Sequence, residues 1–304
     1  MPPSRSRTRS RYRIAVALLS LVTAGLAAVL VSCPKEKPVE TPMSARPASQ
    51  AEPAAAESEP EPRDTAVPAP AAEPVHPSQR GLLAIVIDDA GYDLSDLQPF
   101  LDLPMPLAVA VLPNLPHSGE AARRVLAAGK ELLLHLPMEP EGGEDPGPGA
   151  LLTGQPPAEL ERLLDAALQS VPGVVGVNNH MGSKATADPA FMAVVLEALS
   201  RRGLFFVDSR TTTLTVAASE AERLGVPYLA RKVFLDAVEG GIEQSLDSAI
   251  AAAARGGSTV AIGHVQSRDL AAILRRAADG MERVGVRPAT LSALIAGRGG
   301  RTAE

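Results

Sequence analysis

From residue 81 onward, short apolar runs alternate with segments of helical spacing. The runs fall at 83–87, 107–112, 132–134, 174–177, 204–207, 228–235 and 260–262, the 228–235 run being the weakest. Between them, 118–128, 157–169, 189–201, 242–254 and 269–284 carry apolar residues three and four apart, and Gly129 and Gly203 stand where two of these segments should stop. Strand, helix, strand, repeated, predicts a parallel sheet covered by helices. Runs that are continuously apolar rather than alternating predict strands buried on both faces. About seven such units over some 220 residues suit one distorted or incomplete (β/α) barrel better than two domains. An open doubly wound sheet is the competing arrangement.

The polar residues that follow these runs carry the functional signal. Asp88 and Asp89 follow the first run, His135 the third, Asn178-Asn179-His180 the fourth, Asp208 the fifth, Asp236 the sixth and His264 the last. Any one of them reads as a turn or capping residue. In a parallel barrel, however, all these strand ends lie on one rim, where active sites of such folds are built. Three of the four histidines after residue 80 are among them, which argues against coincidence.

The residue types then define a chemistry. Two imidazoles and a carboxylate, with room for water, make a catalytic metal site, typically zinc, and lower the pKa of that water toward ~7. With one carboxylate of the Asp88-Asp89 pair on the metal, the other is free to act as a general base. The remaining His264 is placed to protonate a leaving group. Metal, base and acid together describe hydrolysis at a carbonyl.

Composition narrows the partners. The net charge of -6 and the single cysteine exclude a basic nucleic-acid footprint, an internal disulfide and a multi-cysteine zinc site. Residues 80–304 hold 20 basic and 27 acidic side chains, so this domain is itself acidic.

The first 33 residues do not read as globular. Arginines at 5, 7, 9, 11 and 13 precede 18 uncharged residues from Ile14 to Val31, the pattern of an export signal or an uncleaved membrane anchor. The sequence Leu30-Val31-Ser32-Cys33 resembles a bacterial lipobox, which implies lipidation of Cys33. Residues 34–79 contain 11 prolines and 10 alanines and few large apolar side chains. They read as a disordered tether. The domain at 80–304 is therefore expected outside the cytoplasm, held to the membrane through the N-terminus, where other envelope proteins are the alternative partners to an envelope substrate.

Six strings carry a family resemblance: Ile85 to Tyr92 (IVIDDAGY), His135 to Pro140 (HLPMEP), Gly176 to Ser183 (GVNNHMGS), Phe206 to Ser209, Phe234 to Asp236 and Ile262 to His264. Together they resemble the divergent polysaccharide deacetylases, a branch of the metal-dependent carbohydrate deacetylases with a distorted (β/α) barrel. The resemblance implies removal of acyl groups from a polysaccharide such as peptidoglycan. It makes Asp88 the base and His264 the acid, puts Asp89, His135 and His180 on the metal, and makes Asp208 and Asp236 orienting residues behind them.

The chain also departs from that pattern. Ordinary members pair two histidines four residues apart, whereas Glu139 stands four residues after His135, so the third ligand is His180 or Glu139. The Arg-x-Pro-Tyr string that helps shape the substrate groove is missing, and there are no Trp and only three Tyr to stack on sugars. A binding protein that keeps the barrel without turnover is thus the second reading. Elsewhere, His117 reads as a helix-cap neighbour and Met138 and Met181 as packing. Arg210 reads first as an ion-pair partner and second as a contact for an anionic substrate, and Lys184 first as a surface residue beside the His180 loop and second as a substrate contact. The segment 141–149 reads as a mobile loop over the rim.

Overall fold

The computed structural model describes residues 81–299, apart from 238–239 and 256. The expected leader, Cys33 and the tether lie outside the described residues. Strand β1 (Gly81–Ala90) shows why the apolar runs are continuous. Its Leu83, Ile85 and Ile87 enter one apolar cluster and its Ala84 and Val86 another, so both faces of the strand are buried.

The first cluster lies between sheet and helices. It is completed by side chains of α1 (Leu94–Leu101), α2 (Ser118–Ala127), α3 (Pro157–Ser170), α4 (Pro189–Ser200), α5 (Ala217–Leu224), α6 (Gly241–Ala254) and α7 (Leu270–Arg283). Local chemistry sets several helix starts. Asp93 accepts from the Ser95 N–H, and Asp188 accepts from the Ala190 and Phe191 N–H groups. Pro157 and Pro189 open their helices, where the missing N–H costs nothing. The helix α1 has a Pro inside it and no counterpart among the sequence expectations.

The remaining strands are β2 (Ala108–Val111), β3 (Glu131–Met138), β4 (Gly176–Met181), β5 (Phe205–Asp208), β6 (Tyr228–Ala230), β7 (Val233–Phe234), β8 (Ser258–His264) and β9 (Val286–Pro288). Their order is β6-β5-β4-β3-β2-β1-β8-β7, with every pairing parallel and β9 added beside the start of β1. The two edges, β6 and β7, are separated by only Arg231 and Lys232. The Arg231 N–H donates to the Asp208 carbonyl on β5 at 3.0 Å, and the Lys232 N–H donates to the Val260 carbonyl on β8 at 2.8 Å. One segment, 228–234, thus serves both edges in turn and takes the seventh place in a distorted ring. The sequential strand order sets aside the doubly wound alternative.

The second cluster fills the inside of this ring. Ala84, Ala108 and Ala110 leave space that Phe205, Val207, Val260 and Ile262 occupy. Gly176 faces Phe205 so closely that a Cβ there would lie 2.3 Å from the ring. Helix α8 (Leu291–Gly299) adds Leu291 and Leu294 to this cluster, and its first N–H groups, of Leu291 and Ser292, donate to the Glu131 carboxylate at 2.6 and 3.1 Å. Because Glu131 begins β3, the helix stops the N-terminal mouth of the ring, leaving the opposite rim for polar chemistry.

Candidate functional site

Side-chain alternation carries the inward face of each strand up to the rim. On β1, Ala84 and Val86 are followed by Asp88; on β3, Leu133 by His135; on β8, Val260 and Ile262 by His264. Register aligns them across strands, with Asp88 opposite His264, His135 opposite Asn178, and Pro137 opposite His180.

Alternation alone would turn Asp89 away. Between Ile87 and Ala90 the pairing with β2 slips by one residue, and Asp89 has φ 67, the left-handed region that a non-glycine residue rarely occupies. This bulge brings both carboxylates to one cluster. Asp89 Oδ1 lies 3.1 Å from His135 Nε2 and 3.1 Å from His180 Nδ1, and those two nitrogens are themselves 3.1 Å apart.

Such a trio fits a metal ion. Three ligand atoms around a tetrahedral ion with bonds near 2.0 Å stand roughly 3.3 Å apart. Asp89 Oδ1 is also buried and has no hydrogen bond, an uncompensated lone-pair atom that an ion would satisfy. Asp89, His135 and His180 can therefore hold a metal. Glu139, the alternative third ligand, is committed elsewhere. One oxygen accepts from the N–H and hydroxyl of Thr153 at 2.7 and 2.5 Å, and the other meets Lys184 at 2.7 Å. That pair also engages the ammonium of Lys184, in keeping with the first of its two readings.

Asn178, to which sequence reasoning gave no role, joins the two halves of the site. Its amide N–H donates to Asp88 Oδ1 at 2.8 Å, which turns its carbonyl toward His135 Nδ1 at 2.9 Å. The His135 Nδ1–H is thereby engaged and the Nε2 lone pair is left facing Asp89. The signal was present: Asn178 stands two residues before His180 on the same strand face and level with His135 in register. Gln266 was missed as well, with Nε2 3.4 Å from Asp89 Oδ2.

Asp236 sits behind His264. It accepts from the His264 Nδ1–H at 2.9 Å, the His264 backbone N–H at 2.7 Å, and the Ser267 hydroxyl. Phe234 stacks on the imidazole with ring centroids 5.7 Å apart, and the Arg231 guanidinium lies 3.6 Å from the other ring centre, that of Phe234. Asp208 corrects an expectation. It lies on the opposite face of β5 to the inward Val207, and its carboxylate accepts from the Arg210 N–H, the Thr215 hydroxyl and the Tyr228 hydroxyl, with no bond to a metal-site residue. It shapes the turn after β5. His117 is the residue before α2 and its side chain makes no capping bond.

Charge is distributed to match. Burial opposes ionisation of Asp89, but the imidazoles of His135 and His180 outweigh it and hold its carboxyl below the usual range. Burial pushes Asp88 up, against the opposing pull of His135 and the Asn178 amide. The hydrogen bond to Asp236 pushes His264 up to about 9, burial notwithstanding, with the charges of Asp236, Asp88 and Asp89 adding to the rise.

Comparison with known proteins agrees with this architecture. Residues 85–295 match the family model of the divergent polysaccharide deacetylases, and the chain belongs to that family. It is 43% identical over 190 residues to the uncharacterized protein YibQ of Escherichia coli (strain K12), covering 62% of this chain and 60% of that one. The match thus spans less than two thirds of that relative's length. An uncharacterized protein of Haemophilus influenzae (strain ATCC 51907 / DSM 11121 / KW20 / Rd) is 35% identical over 209 residues, covering 67% of this chain and 75% of its own. Among solved structures, an uncharacterized protein from Agrobacterium tumefaciens C58 superposes with a TM-score of 0.67 at 24% identity, over 73% of this chain and 92% of that one. A putative cellobiose-phosphate cleavage protein from Enterococcus faecalis V583 gives a TM-score of 0.52 at 14% identity, over 71% and 99%. Both show the same fold.

Proposed function

We propose that the domain is a metal-dependent hydrolase that removes N- or O-acyl groups, acetyl above all, from an envelope polysaccharide such as peptidoglycan. The observation that carries this reading is the convergence of Asp89, His135 and His180 at mutual distances of 3.1 Å, with Asp88 and His264 flanking them on the same rim. Family membership supports a carbohydrate substrate. Two imidazoles and a carboxylate suit zinc.

When bound, a divalent ion supplies a Lewis acid and acidifies a coordinated water. The chain's own groups complete the chemistry. Asp88 Oδ1 is engaged by Asn178, so Oδ2, 3.7 Å from His135 Nε2, is the oxygen free to take a proton from the attacking water. A carboxyl raised by burial is better matched to proton transfer near neutral pH than an ordinary one. With Nδ1 bound to Asp236, the protonated His264 keeps its Nε2–H for the departing amine or alcohol. Asp236 thereby fixes which nitrogen delivers the proton.

Residues 1–33 would export the domain and Cys33 would carry lipid, with 34–79 as the tether that lets it reach glycan outside the cytoplasm. Cys33→Ser should then leave a larger, unprocessed precursor. Unchanged gel mobility with intact membrane association would favour an uncleaved anchor.

The decisive experiment is acetate release from a panel of acetylated glycans by zinc-loaded protein and by Asp88→Asn. The variant keeps the shape of the side chain but cannot take a proton, so the rate should fall about 10²- to 10⁴-fold with metal content unchanged. No release by the wild type, with Asp88→Asn still complementing a deletion strain, would replace hydrolysis by a binding or scaffolding role.

A further inference from the structure

Beyond β5 the chain builds an arginine into the rim. Arg210 has φ 49, in the left-handed region, and is gripped from both sides: its N–H donates to Asp208 Oδ1 at 2.7 Å, and its carbonyl accepts from Arg231 Nη2 at 2.9 Å. The residues flanking it are anchored to the site. Ser209 Oγ is 3.5 Å from the Asn178 amide, and the Thr211 hydroxyl donates to the Met181 carbonyl at 2.9 Å, beside His180. A non-glycine residue in this conformation costs free energy, and side-chain clamps on both of its peptide groups hold it there.

Arg210 is exposed, and among the described residues its guanidinium has no hydrogen bond or ion pair. The nearby carboxylate of Asp208 is engaged by the Arg210 N–H, Thr215 and Tyr228. Arg231, the clamp, has no ion pair among the described residues either; its Nε donates to the Ser209 carbonyl at 2.7 Å and its face covers Phe234. Burial and the neighbouring charge of Arg210 both depress it. Two like charges are thus gathered beside the site in a domain whose acids outnumber its bases, 27 to 20. A planar guanidinium pairs in bidentate fashion with a carboxylate or phosphate.

We propose that Arg210, held by Arg231, binds an oxyanion, carboxylate or phosphate, carried by the glycan, so that the enzyme selects an acidic saccharide. This rests on the deacylation reading for its place in catalysis, though not for binding. The full-length protein, wild type and Arg210→Gly, should be tested on N-acetylated amino-sugar oligosaccharides in three matched forms: neutral, carboxylated and phosphorylated. Glycine adopts the left-handed conformation without strain, so the variant should fold, and circular dichroism checks it.

Wild type should bind one acidic form about tenfold or more tighter than the neutral one, with a preference that weakens as salt rises, and show the same preference in kcat/KM. Arg210→Gly should bring the ratio near one, chiefly through KM, and Arg210→Lys should restore part of it. Which acidic form wins distinguishes carboxylate from phosphate. Equal affinity for the three forms, binding of none, or a preference that survives Arg210→Gly overturns the proposal. Acid-selective binding without any acetate release would overturn only the hydrolase reading.

Discussion

Asp88 and Asp89 are consecutive in a β-strand and yet bring their carboxylates to the same cluster, 3.7 and 3.1 Å from His135 Nε2. A regular strand would send them to opposite faces, and then one rim could not hold both a ligand and a free carboxylate from this position. The extra residue in β1 and the left-handed backbone of Asp89 remove the conflict. Strain is localised where two carboxylates share one strand end.

The bulge makes Asp89→Gly informative. Glycine takes φ 67 without penalty, so the variant should lose bound zinc while unfolding at a temperature no lower than the metal-free wild type. Asp89→Ala should lose zinc too but be less stable than Asp89→Gly by about 1 kcal/mol. Metal analysis and thermal denaturation of the metal-free proteins would check both; stoichiometric zinc in Asp89→Gly would remove Asp89 from the ligand set.

The candidate ligands come from three separate strands, so no pair is preformed by local sequence. The double variant His135→Ala/His180→Ala leaves a single carboxylate, and zinc at neutral pH should fall to background. Retained zinc after dialysis would place the ion elsewhere.

Asn178 is fully buried and has its carbonyl and one N–H engaged by the two halves of the site. Asn178→Ala removes a partner from Asp88 Oδ1 and from His135 Nδ1 together, at roughly 1–3 kcal/mol per orphaned group. Denaturant unfolding should show that loss, and zinc affinity should fall because the His135 ring is no longer oriented. A change within about 0.5 kcal/mol, with unaltered zinc affinity, would mean that the bridge contributes nothing.

The His264–Asp236 pair predicts a pH dependence with a definite sign. A histidine raised to about 9 in the folded protein adds stability that is fully present below its unfolded value of ~6.5 and is lost as pH rises through 9. Activity that needs the protonated ring should fall on the same side. Asp236→Asn returns the ring toward its ordinary value, so the alkaline limb should move down by about two units and the rate at pH 8 should drop roughly 10- to 30-fold. An unshifted limb in the kcat/KM profile would remove His264 as the acid.

Leu294 of α8 packs into the inside of the barrel. Leu294→Ala should destabilise the protein by about 2–5 kcal/mol, measured by denaturant unfolding. A cost below 1 kcal/mol would show that the helix is not part of the folded core.

The sequence by itself showed a parallel α/β architecture, its acidic character, and candidate polar residues at the strand ends, among them Asp88, Asp89, His135 and His264. Those features are local: continuously apolar runs, and polar residues just after six of the seven, both read along the chain. Tertiary structure alone decided what depends on neighbours across strands. The ring closes because segment 228–234 changes partners midway, which no local pattern encodes. His180 rather than Glu139 joins Asp89 and His135 because Thr153 and Lys184, distant in sequence, engage Glu139 first. Asp208 ends β5 and Asp236 follows β7 by two residues, yet one turns outward to Thr215 and Tyr228 while the other holds His264. Which way such a carboxylate faces is fixed by register and by the partners that fold around it, and neither is written in its own stretch of chain.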